Sequence, residues 1–385
     1  MARRIAVFAP MGTLDHQTGI LNAVRCFAAA GYAVDVFTVR NRRYTPTRFT
    51  EANVRLHWMP ISFDAEPEPR WTVTLLFIAW VMLLSLFRPP RLVFAGGIRG
   101  LFAAWAVSLL RRIDYVNYQT ELYIGEKLNT KAARLFKAIE RRAAQKALVT
   151  IEHDPQRCEL LAADLGVPMA RIVVVPNAPV GPARAVSSTF LHQRLQLPVD
   201  TPLLVCPGTL SDAFQSQQVV MAAQGLPPAW RCVLHSAQPR DDGEPYIREL
   251  MALNTQHRVV FSLAPIPYSE IDALMGSARV GIVLYASELG QNTATVGLAS
   301  GKLSHFLKIG VPVIVSPLPG LADFVLQHGV GQVLEHPEQL PELLARIEAD
   351  AAGYRARALQ TFDAQLSYER HFQAVLARID ARAGA

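Results

Sequence analysis

"RIAVFAPMGTLDHQTGILNAVRCFAAAGYAVDVFTV", residues 4–39, decides the fold. An apolar, β-rich run (4–10) is followed by a polar loop. "GILNAVRCFAAAG" (19–31) then carries apolar residues at helical spacing up to a stopping glycine, and "AVDVFTV" (33–39) is strand-like again. A strand, a crossover helix and a second strand predict parallel pairing, and so a doubly wound α/β sheet.

The same alternation continues outward in "RLVFAGG" (91–97), "DYVNYQT" (114–120), "ALVTIEH" (147–153) and "RIVVVPNAP" (171–179), which predicts a first domain over residues 1–180. The pattern then loosens around Pro182, Pro198 and Pro202. It restarts as "LLVCPG" (203–208), "RCVLHSA" (231–237), "RVVFSL" (258–263), "RVGIVLY" (279–285) and "VPVIVS" (311–316), a second domain over 200–365. Residues 366–385 are read as a C-terminal helix packing back on the first domain. The expected fold class is therefore α/β, with two tandem Rossmann-like doubly wound domains facing a cleft lined by the loops after the strands. A chain of 385 residues is long enough for two cores.

Composition removes several classes. With 51% hydrophobic and 18% charged residues the chain is globular and not disordered. Cys26, Cys158, Cys206 and Cys232 form no C-x-x-C pair, which argues against a zinc knuckle or disulfide framework and for reduced core thiols. Neither G-x-G-x-x-G nor a P-loop occurs, so a standard dinucleotide or ATP site is unsupported. "MARRIAVFAPMG" enters a strand pattern directly, without the apolar region of an export signal, so a cytoplasmic location is expected.

Charge is unevenly divided. Residues 1–150 hold 21 Lys and Arg against 10 Asp and Glu, a surplus of 11, whereas the remainder holds 17 against 22. The first half is therefore expected to face something anionic. The basic clusters lack the interleaved aromatics of single-strand binders, which turns the expectation from nucleic acid toward an anionic membrane surface. "WTVTLLFIAWVMLLSLF" (71–87) is uncharged throughout and flanked by Arg70 and Arg88. It reads as a buried core helix, as a helix in the membrane interface or, at the short limit, as a span.

Three places offer chemistry. In the first loop, Gly19 opens a helix whose free N–H groups suit a phosphate, or it simply makes a tight turn; Asp15 and His16 read as a base or as capping groups. Glu121 follows a strand at its carboxyl edge, where it orients a hydroxyl, caps, or pairs with Lys127 or Lys131. In "NTATVGLASGKLSHFLKIGVPVIVSPLPG" (292–320), Ser300 and Gly301 begin a helix that Gly310 closes. Ser, Gly and Lys302 at a helix start suit a diphosphate, with His305 one turn further on.

Taken in order, "TGILNAVRCFAAAGYAVDVFT", "VVVPNAP", "HRVVFSLAPIPYSEIDALMGSARVGIVLY" and "SGKLSHFLKIGVPVIVSPLPGL" make the chain resemble a GT-B glycosyltransferase, most closely family 4 (group 1). The resemblance covers nearly the whole chain. It implies a nucleotide-sugar donor held by the second domain and an acceptor held by the first. It assigns Ser300, Gly301, Lys302 and Leu303 to the donor diphosphate, with Gly19, Gly208 and Thr209 approaching the same group. Asn292 and His305 are expected to touch the donor, His305 through ribose or sugar, and Glu121 falls near the catalytic edge. Two departures stand out: the family's E-x7-E pair falls on Gly297 and His305, and "GTLSDAFQSQQ" lacks the usual basic residue, leaving Lys302 as the main phosphate cation with Arg240 or Lys308 as helpers.

The expectation is a metal-independent transferase without cofactor, peripheral on the inner face of the cytoplasmic membrane. It moves a sugar to a lipid-linked or polysaccharide acceptor in bacterial cell-surface glycan synthesis. A retaining reaction is expected; an inverting one would draw its base from Asp15, His16 or Glu121. A sugar-nucleotide epimerase, a phosphorylase and a non-catalytic assembly scaffold are the alternatives on the same fold.

Overall fold

The computed structural model describes residues 3–12, 14, 17–42, 47–63, 71–124 and 130–383. The chain divides into two compact units, one of Met1–Pro176 with Tyr368–Ala385 and one of Asn177–Ser367. The strands are β1 (Arg4–Ala9), β2 (Ala33–Asn41), β3 (Val54–Phe63), β4 (Leu92–Gly96), β5 (Asp114–Tyr118), β6 (Val149–Glu152) and β7 (Ile172–Val174) in the first unit. The second unit holds β8 (Leu203–Gly208), β9 (Arg231–Ser236), β10 (Val259–Ser262), β11 (Val280–Val283), β12 (Val313–Val315) and β13 (Gly331–Val333).

In the first unit the order is β3-β2-β1-β4-β5-β6-β7, with every pair parallel. The second repeats the theme as β10-β9-β8-β11-β12-β13, again parallel throughout. Both orders reverse direction once, between β1 and β4 and between β8 and β11. Such switch points open crevices at the carboxyl ends of the strands. Inner strands such as β1 and β4 are continuous apolar runs because helices cover both faces of a parallel sheet.

Local chemistry sets the helix ends where the sequence indicates it. The helix Pro155–Leu165 has Asp154 as its N-cap, accepting from the Gln156 amide at 2.8 Å, a proline in its first turn, and Gly166 at φ 64° beyond its end. Gly31 closes the first helix, Thr18–Ala29, at φ 82°. The edge strand β3 was not expected: its Arg55, His57 and Pro60 blur the alternation, and an edge strand tolerates all three.

The residues expected to lie between domains are not a free linker. Asn177 donates to the carbonyl of Leu298, Arg184 to that of Lys308, Val186 to that of Ile309 and Ser188 to that of Gly276, so 177–188 runs along the second unit. At the other end the helix Tyr368–Ala383 lies in the first unit. Phe372 meets Phe27 edge-to-face at 5.1 Å, and Arg382 pairs with Asp114 at 2.9 Å.

Apolar residues 71–87 form one helix, Trp71–Phe87, with Thr74, Phe77, Val81 and Ser85 buried along a single stripe. Its opposite face is exposed, so it is only half a core helix. No helix among the described residues is long and apolar enough to cross a membrane.

Candidate functional site

The second unit builds its site where β8, β11 and β12 end. Gly208 closes β8 at φ 127°, a conformation that favours glycine. An added Cβ there would lie 3.7 Å from the Lys302 Nζ, so the lysine side chain runs along the glycine. Thr209, next in the loop, is half-buried. Beyond β11, the Tyr285 amide donates to the Ser316 hydroxyl beyond β12 at 2.7 Å. Tyr285 in turn shares a hydrogen bond of 2.8 Å with Ser300.

Ser300 is the N-cap of the helix Gly301–Lys308: its hydroxyl accepts from the Leu303 amide at 3.2 Å. That engages one of the amides a helix start leaves open, while Gly301 and Lys302 head the chain of N–H groups at the positive end. Asn177 steadies the approach by donating to the Ala299 carbonyl at 3.1 Å, and a Cβ on Gly301 would sit 3.3 Å from its amide nitrogen. "VVVPNAP" was read as the end of the first domain, yet its asparagine holds the candidate phosphate loop of the second.

Lys302 is the chemical centre. Its ammonium lies 4.4 Å from the centre of the Phe214 ring and 4.7 Å from that of Tyr285, between two π faces. The nitrogen is shielded from solvent and has no hydrogen-bond partner among the described residues. Burying an ammonium unpaired is costly, which makes Lys302 the candidate anion-binding group of this unit. The same charge reaches Cys206, whose thiol burial pushes up while the ammonium pulls it the other way. All four cysteines are buried and unpaired.

His305 follows one turn later and has a side-chain partner within the second unit. Its Nε2 lies 2.5 Å from the Asp272 carboxylate, and its ring sits edge-on to Tyr268. The histidine hydrogen bond holds the Asp272 carboxyl below its usual range, against the opposing effect of burial and with help from Lys308 and Arg184. A carboxylate therefore does stand beside position 305, supplied by the helix Ile271–Met275 within the "YSEIDALM" block. Arg240 is already occupied, donating to Glu244 at 2.7 Å and to the Leu210 carbonyl at 3.1 Å. Asn292 lies in the short helix Gln291–Ala294.

In the first unit, Gly19 is buried at the start of Thr18–Ala29. A Cβ there would fall 1.6 Å from the Tyr118 hydroxyl, and the Tyr368 hydroxyl donates to the Gly19 carbonyl at 2.8 Å. Close packing of Tyr118 therefore requires this glycine. Burial, then the Glu152 charge, push the Tyr118 hydroxyl well up from its ordinary value. His153, which the sequence did not single out, ties the carboxyl edge together, with one ring nitrogen 2.8 Å from the Val175 carbonyl and the other 2.8 Å from that of Gln119. Glu121 is exposed beyond β5. Asp15, His16 and Lys127 lie outside the described residues. Among those described, no three of His, Cys, Asp and Glu come together as metal ligands would.

Residues 16–178 match the family described as Glycosyl transferase 4-like domain. Residues 278–379 match Glucosyltransferase 3-like, C-terminal domain. No curated protein matches the sequence. Among solved structures, sucrose-phosphate synthase from Thermosynechococcus elongatus superposes with a TM-score of 0.75 at 17% identity, covering 100% of both chains. Anabaena HepE in complex with UDP and glucose gives 0.69 at 14% identity, covering 99% of this chain and 100% of that one. WaaG, a glycosyltransferase involved in lipopolysaccharide biosynthesis, gives 0.67 at 17% identity over 96% and 98%.

Proposed function

We propose that this chain, which carries the two Rossmann-like domains of a GT-B glycosyltransferase, moves a sugar from a nucleoside-diphosphate sugar to a lipid-linked or polysaccharide acceptor in bacterial cell-surface glycan synthesis. Its place is peripheral, on the inner face of the cytoplasmic membrane where such acceptors are built. One observation carries the donor half of the reading: the buried, unpartnered Lys302 ammonium at the head of Gly301–Lys308. The UDP bound by HepE and the lipopolysaccharide role of WaaG support the donor and acceptor classes by analogy.

In this reading the diphosphate lies across the amides at 301–303, and Lys302 meets the charge that grows on the β-phosphate oxygen as it leaves. Gly208 gives the lysine room, Phe214 and Tyr285 keep water from it, and Ser300 fixes the loop. His305, oriented by Asp272, borders the ribose or sugar. The reaction needs no metal ion and retains configuration. The bond from the anomeric carbon to the phosphate oxygen breaks while the acceptor hydroxyl attacks the same face and passes its proton to that oxygen. Glu121, Asp15 and His16 would matter as bases only if the outcome is inversion.

The test is nucleotide release from a panel of nucleotide sugars, with and without lipid-linked and polysaccharide acceptors and in the presence of EDTA. Acceptor-dependent release insensitive to EDTA is expected, with the product's anomeric configuration read by NMR. Conversion of donor to an epimer without release, or inertness toward every donor, would replace transfer by the epimerase or scaffold reading.

A further inference from the structure

The helix Trp71–Phe87 leaves Trp71, Leu75, Leu76, Leu83, Leu86 and Phe87 exposed, the last at 78%. Leu75, Leu76, Leu83, Leu86 and Phe87 share the face opposite the buried stripe Thr74, Phe77, Val81 and Ser85, and Trp71 lies at its flank. A contiguous apolar strip on one helix is not the scatter of single residues that ordinary surfaces show. At about 1.5 Å per residue the helix is roughly 25 Å long, and one side is committed to the first unit, so it lies along a surface and does not span one.

Cations flank the strip. Arg88 and Arg91 follow its C-terminal end and are exposed. Arg111 anchors there too, donating to the carbonyls of Ser85 at 3.0 Å and Leu86 at 2.7 Å. At the other end Trp71 stacks on Phe136 at 4.8 Å, a residue of the helix Lys131–Lys146. That helix sets exposed Leu135 on one face with Lys131 and Arg142, three and four positions being neighbours on a helix. The strip is not flat: Leu84, Phe87 and Arg88 rim a mainly apolar recess of about 200 Å³ that runs in to Phe37 and Val81 and has Arg4, Asp35 and His57 at its polar side. An alkyl chain adapts to such a recess, whereas a second copy of the chain would have to present a matching knob to it.

We infer that this face is a docking surface for an anionic phospholipid bilayer, with Trp71–Phe87 lying in the headgroup boundary and the flanking arginines and lysines at phosphate level. The inference deepens the peripheral placement proposed above and rests on that part of the reading, not on the chemistry of transfer.

Co-sedimentation of the full chain with phosphatidylcholine vesicles, with and without phosphatidylglycerol, tests it. Binding to the anionic vesicles, weakening as salt rises, is expected. The pair Leu75→Gln/Leu83→Gln, both at exposed positions, should lower partitioning roughly tenfold or more. Arg88→Glu/Arg91→Glu should remove mainly the salt-sensitive part. The thermal shift with nucleoside diphosphates, measured on the same variants, should stay at the parent value and show that the donor unit is intact. Parent protein left in the supernatant at low salt, or a leucine pair that binds like the parent, overturns the inference. So does a lipid-free dimer by light scattering that the leucine pair dissociates, since the face would then belong to a second copy.

Discussion

Replacing Lys302 by Met separates a ligand-seeking charge from a structural one. In the free protein the ammonium lies against Phe214 and Tyr285 with no hydrogen-bond partner among the described residues. Two ring contacts contribute about 0.5–2 kcal/mol each, whereas an unmatched buried polar group costs about 1–3 kcal/mol and a charged one more, so losing the ammonium should not destabilise the free protein. Methionine keeps the apolar stem and its contact with the rings. The ligand-free melting temperature should therefore stay at the parent value or rise. The donor response should collapse. A nucleoside diphosphate at 100 times its Kd stabilises the parent by about 2.7 kcal/mol. If the charged contact is worth about 100-fold, the same concentration only equals the variant's Kd and leaves about 0.4 kcal/mol. For a unit of this size about 2–4 °C accompanies each kcal/mol, so a shift of about 5–10 °C should shrink to about 1–2 °C. Differential scanning fluorimetry with UDP, ADP and GDP measures both quantities. An undiminished ligand shift in the variant would refute the phosphate role, and a large ligand-free loss would make Lys302 structural instead.

Gly19→Ala should destabilise by several kcal/mol, since its Cβ would overlap the Tyr118 hydroxyl; Tyr118→Phe in the same chain should return part of the loss in urea unfolding, and no rescue would refute the packing account. Ser300→Ala removes a helix cap and the link to Tyr285, and about 1 kcal/mol of stability with weaker donor binding is expected, the second read by calorimetry. His235, buried and bonded to Ser262 at 2.9 Å, is pushed down to about 4 from 6.5, first by burial and then by Arg194. Its neutral folded form means the unfolded chain binds the extra proton between those values. Stability of the second unit should fall as pH drops from 6.5 toward 4, by up to about 3 kcal/mol. His235→Gln should flatten that profile, and an unchanged slope would assign it elsewhere.

What the sequence alone determined follows from local chemistry. Strand runs, helical spacing and stopping residues such as Gly31 and Gly166 depend on neighbours a few positions away, and they announce two parallel α/β sheets before any tertiary contact is known. Lys302 as a candidate phosphate cation was legible for the same reason, because a Ser-Gly-Lys helix start is a local signal. The edge strand β3 was not, since one exposed edge relaxes the alternation that identifies a strand. The isolation of the Lys302 ammonium was also hidden, because Phe214 and Tyr285 come from loops after different strands. Asp272 reaches His305 across 33 positions, and Asn177 reaches Ala299 across 122. Likewise residues 71–87 are apolar at almost every position, so their spacing could not say which side faces the core. Tertiary packing decided these points: partners distant in sequence are chosen by where the strands end and which helix face the sheet covers, which no local pattern encodes.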